Sequence, residues 1–452
     1  MRLPLMLLML LLGSCSRSSP DLRWMYGDSV SEMPPPPVVI IPGILGSRLQ
    51  NSVSGEEVWP GSLSRLLLSD HRGLALPVDA GSLQPFPGEL LPSGVFEEAA
   101  GRDFYGAITR TLADAAGYRV GVPGQAIADA WPRYYLFAYD WRQDNVHAVR
   151  ELHALIEQIR VDYGQPDLKV DVIAHSMGGL IARYYLRYGT ADVLGDNRFP
   201  VNNDGVRSVR RLVLLGTPSL GSVSALISVM DGHQVGLRKL SPPVLFTMPS
   251  VYQLFPHALQ DWLITLDGQS LQRDQFDAEI WRRFQLGPWQ PGFEVPEWQV
   301  PGVADPDERL QVMQRYVHRQ LERARRFTWS LTVAADAESR VGLRVFGGNC
   351  EPTPARLLVE EVKGESVLRL WPRDIANPDP AVDYRHLMLE PGDGAVTKAS
   401  LLSRDVLNPS QRRHEYIHFA MDQAFFLCEN HEQLTGNVHF QDNLLHFLLS
   451  TD

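Results

Sequence analysis

Ser176 stands in the run Lys169-Val170-Asp171-Val172-Ile173-Ala174-His175-Ser176-Met177-Gly178-Gly179, between an alternating apolar stretch of strand type and a helix-like stretch from Leu180 to Tyr188. A serine hydroxyl is a weak nucleophile until a base takes its proton, and a tight strand-to-helix turn exposes it to both an imidazole and a substrate carbonyl. Ala174 and Gly178, two residues to either side, keep the crossing of strand and helix free of bulk. Glycine is usual at both places. Alanine at 174 adds one methyl group and leaves the mechanics intact. Such short strings also arise by chance, but this one falls at a strand-to-helix switch, which favours a nucleophile.

A serine that transfers acyl groups needs a base, a carboxylate to orient the base, and amide donors for the oxyanion. The partners are expected in the order Ser, Asp, His. Asp393 is the favoured acid, because Pro391-Gly392-Asp393-Gly394-Ala395-Val396 is a glycine-flanked turn that presents a carboxylate at a strand end. The plainer alternative is a solvated turn aspartate. Asp140 and Asp171 precede the serine, and Asp379 and Asp383 sit in a proline-rich loop. Among the five histidines beyond Asp393, His431 is favoured: it follows a strand-like stretch from Ala424 to Cys428 and precedes a helix-like run ending at Leu448, so it stands in a loop. His439 and His446 fall in the final helix and His418 in a strand-like stretch. The turn Pro42-Gly43-Ile44-Leu45-Gly46-Ser47 ends the first strand, so the Ile44 amide is one expected oxyanion donor, and the Met177 amide, next to the nucleophile, is the other.

The elements that must position these groups alternate. Val38 to Ile41 and Tyr134 to Ala138 read as buried strands, and Val149, Leu152, Leu155, Ile156 and Ile159 mark one face of a helix. The elbow strand and its helix follow, then Arg211 to Leu215. This pattern predicts an α/β chain with a mostly parallel sheet and helices on both faces, binding its ligand at strand C-terminal ends. Proline-punctuated helical pieces rich in tryptophan then suggest a helical cap inserted at 220–328. Strand signals at Trp329 to Val333 and Val341 to Phe346, with a hairpin around Lys363-Gly364, are expected to complete the sheet. The core is therefore divided into 38–219, with a lid-like segment near 50–100, and 329–452.

The first residues read as an export signal over 1–14: Met1-Arg2, an apolar run too short to span a bilayer, and small residues at the cleavage point. Leu12-Gly13-Ser14-Cys15 resembles a bacterial lipobox, so Cys15 is expected to carry lipid, followed by a proline-rich linker over 15–37. The other reading is an ordinary signal peptide with an incidental cysteine. Cys350 and Cys428 remain, either paired by export or as two buried thiols. A net charge of −11 argues against nucleic acid as a partner and gives no attraction to an anionic membrane. Membrane association would rest on the lipid and on exposed apolar residues of a lid. His414-Glu415-Tyr416-Ile417-His418 matches a zinc-peptidase string, but helix-breaking residues precede it and no zinc or other cofactor is expected.

Taken together, the Pro42–Ser47 turn, Val58-Trp59-Pro60-Gly61, Tyr139-Asp140-Trp141-Arg142, Ala174 to Gly179 and Pro249-Ser250-Val251-Tyr252-Gln253-Leu254-Phe255-Pro256 resemble the lecithin:cholesterol acyltransferase family, which includes lysosomal phospholipase A2 and phospholipid:diacylglycerol acyltransferases. The resemblance spans about Val38 to Leu449. It implies an α/β-hydrolase fold with an inserted cap, a Ser176, Asp393, His431 triad, and acyl transfer from a lipid ester to water or an alcohol. Animal members close a lid loop with a disulfide around the tryptophan corresponding to Trp59, and no cysteine flanks Trp59 here. Trp59 is thus either an acyl-chain contact in a lid or a packed aromatic, and Tyr139 to Arg142 is expected to brace the site floor through an Asp–Arg pair. A non-catalytic lipoprotein scaffold is the contrasting expectation.

Overall fold

Val38 to Ile41 and Val170 to His175 are buried at every position, as strands in the middle of a parallel sheet covered on both faces must be. The computed structural model describes residues 19–27, 34–86, 88–99 and 102–451. Its central sheet has seven strands: β1 (Val38–Ile41), β2 (Arg119–Val120), β3 (Arg133–Leu136), β4 (Val170–His175), β5 (Val209–Leu215), β6 (Gly342–Gly348) and β7 (Gln423–Leu427). They lie in the order β7-β6-β5-β4-β1-β3-β2, every neighbouring pair parallel. From β1 the chain crosses to the edge strand β2, returns through β3 and passes to β4 on the other side of β1, from where it runs outward to β7, so the C-terminal ends of β1 and β4 flank a switch point, where a crevice opens in sheets of this kind.

Six helices matter for the site: α1 (Leu22–Tyr26), α2 (Gly106–Ala116), α3 (Asn145–Tyr163), α4 (Met177–Tyr188), α5 (Pro306–Ser330) and α6 (Val438–Leu449). Strand alternation sorts the core into two layers. Val39, Ile41, Val172 and Ala174 join Leu152 and Ile156 of α3, Leu180 and Ile181 of α4 and buried residues of 220–328 such as Phe255 and Val317. Val38, Ile40 and Ile173 join Ile108 and Leu112 of α2 and Phe440 and Leu444 of α6.

Several local expectations change. Trp329 is in the last turn of α5 rather than in a strand, because buried Val317, Leu321, Ala324, Phe327 and Leu331 continue the helical period through it. The hairpin forms, Leu357–Val362 against Glu365–Arg369 with Lys363 and Gly364 both at positive φ, but it does not extend the central sheet. It pairs in parallel with Leu263–Thr265, where Leu358 and Ile264 share a small core with Tyr384 and Met388. Residues 220–328 accordingly mix helices with this strand and a short hairpin, His233–Val235 with Arg238–Leu240. Within the stretch read as linker, α1 is capped by the Asp21 carboxylate, and the Tyr26 hydroxyl donates to Asp442 Oδ1 of α6 at 2.6 Å. The signal segment and Cys15 lie outside the described residues. Among the described residues, no helix is long and apolar enough to cross a membrane.

Candidate active site

The elbow follows from local backbone geometry. Ser176 has φ 54° and ψ −124° at the junction of β4 and α4, a conformation that a side chain adopts only when its surroundings hold it there. Its N–H donates to the Leu215 carbonyl at 2.8 Å. A methyl group on Gly178 would lie 2.6 Å from the Ile41 carbonyl oxygen, and one on Gly43 would lie 2.8 Å from Ser176 Cβ, so β1, its turn and α4 can meet only through hydrogen atoms.

The turn after β1 brings Gly43, the residue before Ile44, against the serine. Leu45 takes φ 64°, and the Gly46 N–H closes on the Gly43 carbonyl at 3.1 Å. Met177 is the first residue of α4, so its N–H has no intrahelical acceptor and stands at the positive end of the helix. Three aromatic residues fix the turn from behind. Tyr139 Oη donates to the Pro42 carbonyl at 2.9 Å, Trp141 Nε1 to the Ser47 carbonyl at 3.1 Å, and Trp59 Nε1 to the Leu45 carbonyl at 2.8 Å. Trp59 is buried and edge-on to Trp141 and His71, with its indole N–H satisfied, the surroundings of a packed aromatic.

Asp140 and Arg142 form a buried ion pair, with Nε on Oδ1 and Nη2 on Oδ2, both at 2.8 Å. The segment around them is the landing place for Pro249 to Gln253. Ser250 Oγ donates to the Trp141 carbonyl at 2.6 Å, and the Gln253 side chain accepts from the Asn145 N–H and donates to Asp144. Two sequence segments that carry the resemblance therefore dock onto each other and support the oxyanion turn.

Asp393 and His431 arrive from the far side of the sheet. Leu389–Gly392 pairs antiparallel with Glu351–Pro354, which follows β6, and Thr353 Oγ1 accepts the Gly394 N–H at 2.8 Å. Asp393 Oδ1 accepts the N–H groups of Ala395 and Val396 at 3.0 and 2.7 Å, leaving Oδ2 for His431 Nδ1 at 2.8 Å. His431 Nε2 is 2.9 Å from Ser176 Oγ. A disulfide joins Cys350, just past β6, to Cys428, just past β7, and so ties the ends of the two strands that lead into these loops. Spacing alone left that pairing open.

Burial pushes the Asp393 carboxyl up, but the His431 charge, its hydrogen bond and the two amides outweigh it and hold the group below the usual carboxylate range. Burial pulls the His431 imidazole down, and the Asp393 charge and hydrogen bond raise it above its ordinary 6.5. The serine oxygen, the imidazole and the carboxylate thus form one hydrogen-bonded line able to move a proton from oxygen to nitrogen.

The other candidates are engaged elsewhere. Asp171 pairs with Arg210, and Asp379 and Asp383 are both exposed, the latter capping the short helix Tyr384–Met388. His439 and His446 lie in α6. His414 and His418 flank a turn, without the helix that would put both imidazoles on one face. Two buried residues beside the serine escaped the sequence reading. His175 lies inside the elbow run itself, where the sequence assigns it no separate role, and Tyr105 at the start of α2 has no local signal of any kind.

The parallel sheet, its strand order and the elbow define an α/β-hydrolase fold. The solved structure of the Tle4-Tli4 complex matches 92% of this chain and 98% of that one at 14% identity and a TM-score of 0.53, which bears on the fold alone. A match to Bacillus licheniformis lipase BlEst2 in mature form, 11% identical with a TM-score of 0.35, adds nothing to it. Residues 135–281 match the family model described as Lecithin:cholesterol acyltransferase; the match includes Ser176 and stops short of Asp393 and His431. A relative in Saccharomyces cerevisiae, "Uncharacterized protein YJR098C", is 24% identical over 263 residues, 56% of this chain, and the match spans 34% of that protein.

Proposed function

We propose that the protein is a serine-dependent acyl hydrolase or O-acyltransferase acting on lipid esters through a covalent acyl-enzyme. One observation carries the reading: Ser176 Oγ, His431 Nε2, His431 Nδ1 and Asp393 Oδ2 stand in a line with separations of 2.9 and 2.8 Å. Ser176 attacks the ester carbonyl as His431 takes its proton, and Asp393 stabilises the imidazolium that forms. The amides of Ile44 and Met177 receive the oxyanion. His431 then returns the proton to the leaving alcohol, and water or a second alcohol, deprotonated by the same imidazole, releases the acyl group. The family match supports a lipid ester as the substrate class.

This chemistry is placed at a lipid surface, with Cys15 as the attachment point of an exported chain, and the Cys350–Cys428 disulfide fits an oxidising compartment. Ser176→Ala is expected to abolish labelling by a fluorophosphonate probe and to lower ester turnover by about 10⁶-fold. Labelling that persists at another residue sinks the assignment. Incubation with mixed phospholipids, with and without sterol or glyceride acceptors, followed by mass spectrometry, separates hydrolysis from transfer: lysophospholipid with free fatty acid means the first, new acyl esters the second.

A further inference from the structure

Tyr105 and His175 do no bond-making in this scheme, yet both are buried between the serine's two partner loops. The Gly43 N–H donates to Tyr105 Oη at 2.8 Å, Tyr105 Oη is 2.8 Å from His175 Nδ1, and His175 Nε2 is 3.2 Å from the carbonyl oxygen of His431. The two ends of this chain have fixed polarity, because a backbone N–H can only donate and a carbonyl can only accept. Only one proton arrangement satisfies every member. Gly43 donates to Tyr105, Tyr105 donates to Nδ1, and His175 carries its own proton on Nε2 and donates it to His431. An imidazolium would present a second N–H to Tyr105 and leave the hydroxyl proton without an acceptor.

The surroundings hold that arrangement. Burial, and then the neighbouring His431, push the His175 imidazole down to about 3, so it stays neutral, and burial raises the Tyr105 phenol so that it keeps its proton. The His175 ring also packs against the His431 ring, with centroids 4.8 Å apart.

We infer that Tyr105 and His175 are positioning residues that lock the oxyanion turn at Gly43-Ile44 to the loop carrying His431, so that the oxyanion amide and the base keep one fixed spacing about Ser176. The inference rests on the acyl-transfer reading above and extends it. The chain ties the backbone amide of the turn after β1 directly to a backbone carbonyl of the loop after β7, and misplacement of a reacting group by about 1 Å costs on the order of 100-fold in rate.

Tyr105→Phe keeps the ring and removes the one hydroxyl. Turnover of a soluble p-nitrophenyl ester is expected to show kcat lowered about 10- to 100-fold with KM within about twofold of the parent. His175→Gln and the double variant test whether the two residues act as one unit. The double variant should be no slower than the slower single one, because breaking a chain twice costs no more than breaking it once. Multiplying losses, or a Tyr105→Phe enzyme with parental kcat, overturn the inference. A second readout needs no activity: nitrogen-15 NMR of the histidine side chains should show His175 protonated on Nε2, with the Nδ1 resonance shifted in Tyr105→Phe. A proton on Nδ1 overturns it as well. Ser176→Ala run in parallel keeps the failures apart, since turnover surviving that change rejects the acyl-enzyme itself, whereas its loss beside a parental Tyr105→Phe rejects only the positioning.

Discussion

The two halves of the site are built differently. The nucleophile half, the turn after β1 and the elbow after β4, is made of contiguous residues on two adjacent central strands, and backbone contact between glycines and carbonyls sets its shape. The acid–base half is gathered from three separate loops, 349–354, 392–397 and 428–434, at the outer strands β6 and β7. A disulfide, a two-stranded ladder and the Thr353 hydroxyl hold those loops together. Close backbone approach, backed by the hydrogen bonds of Tyr139, Trp141 and Trp59, preorganises the first half, and ties among three separate loops preorganise the second. Loss of a tie should therefore harm the second half first.

The largest effect expected from the acid–base half is that of Asp393→Asn. The amide cannot hold the imidazolium, and kcat should fall by about 10⁴-fold, as in other sites of this construction. The same substitution reads out the pH dependence. Asp393 raises His431 above 6.5, and the base works only when neutral, so the acid limb of kcat/KM lies above 6.5 in the parent and moves down in the variant. Stability takes the opposite sign. The raised imidazole contributes stability that is complete below 6.5 and lost as pH rises through its folded value, while the depressed carboxyl contributes above 3.8 and is lost as pH falls through its own. The pair thus stabilises the fold most between those two values, on the acid side of the activity plateau. A limb at or below 6.5 in the parent contradicts the pairing.

Removing the disulfide comes next. Cys350→Ser with Cys428→Ser should lower unfolding stability by about 2–4 kcal/mol, and hydrogen exchange should rise in 349–354, 392–397 and 428–434 before it rises at the elbow. Exchange that rises first around Ser176 would reverse the contrast between the halves. The smallest effect belongs to Trp59→Phe, which leaves the Leu45 carbonyl without its indole donor. The expected cost is about 1 kcal/mol, measured as a shift in the denaturant midpoint, with kcat lowered less than in Asp393→Asn. A larger loss of kcat would mean that side chains, and not backbone contacts, hold the nucleophile half.

Legibility in the sequence follows the same division. The elbow, β1 and its turn and α3 announce themselves within a few residues through period, small side chains and breakers. Asp393 and His431 were reachable because a glycine-flanked turn and a strand-to-helix loop limited the choices, although nothing local said that the two touch. Trp329 misled because a short bulky run reads as strand until the longer helical period of α5 is counted. The hairpin at 357–369 was visible as a hairpin, but its partner, Leu263–Thr265, is nearly a hundred residues away. Tyr105 gave no sign at all.

By itself, then, the chain determined the strand-to-helix turn that exposes Ser176 and the layered α/β plan, because each depends on residues close enough in sequence to constrain one another sterically. Tertiary structure alone decided the line from Ser176 through His431 to Asp393, the Cys350–Cys428 bond, the burial of Trp59 and the bridge through Tyr105 and His175. Those contacts join segments tens to hundreds of residues apart, and the packing of the sheet, not any local preference, fixes the ångströms between them.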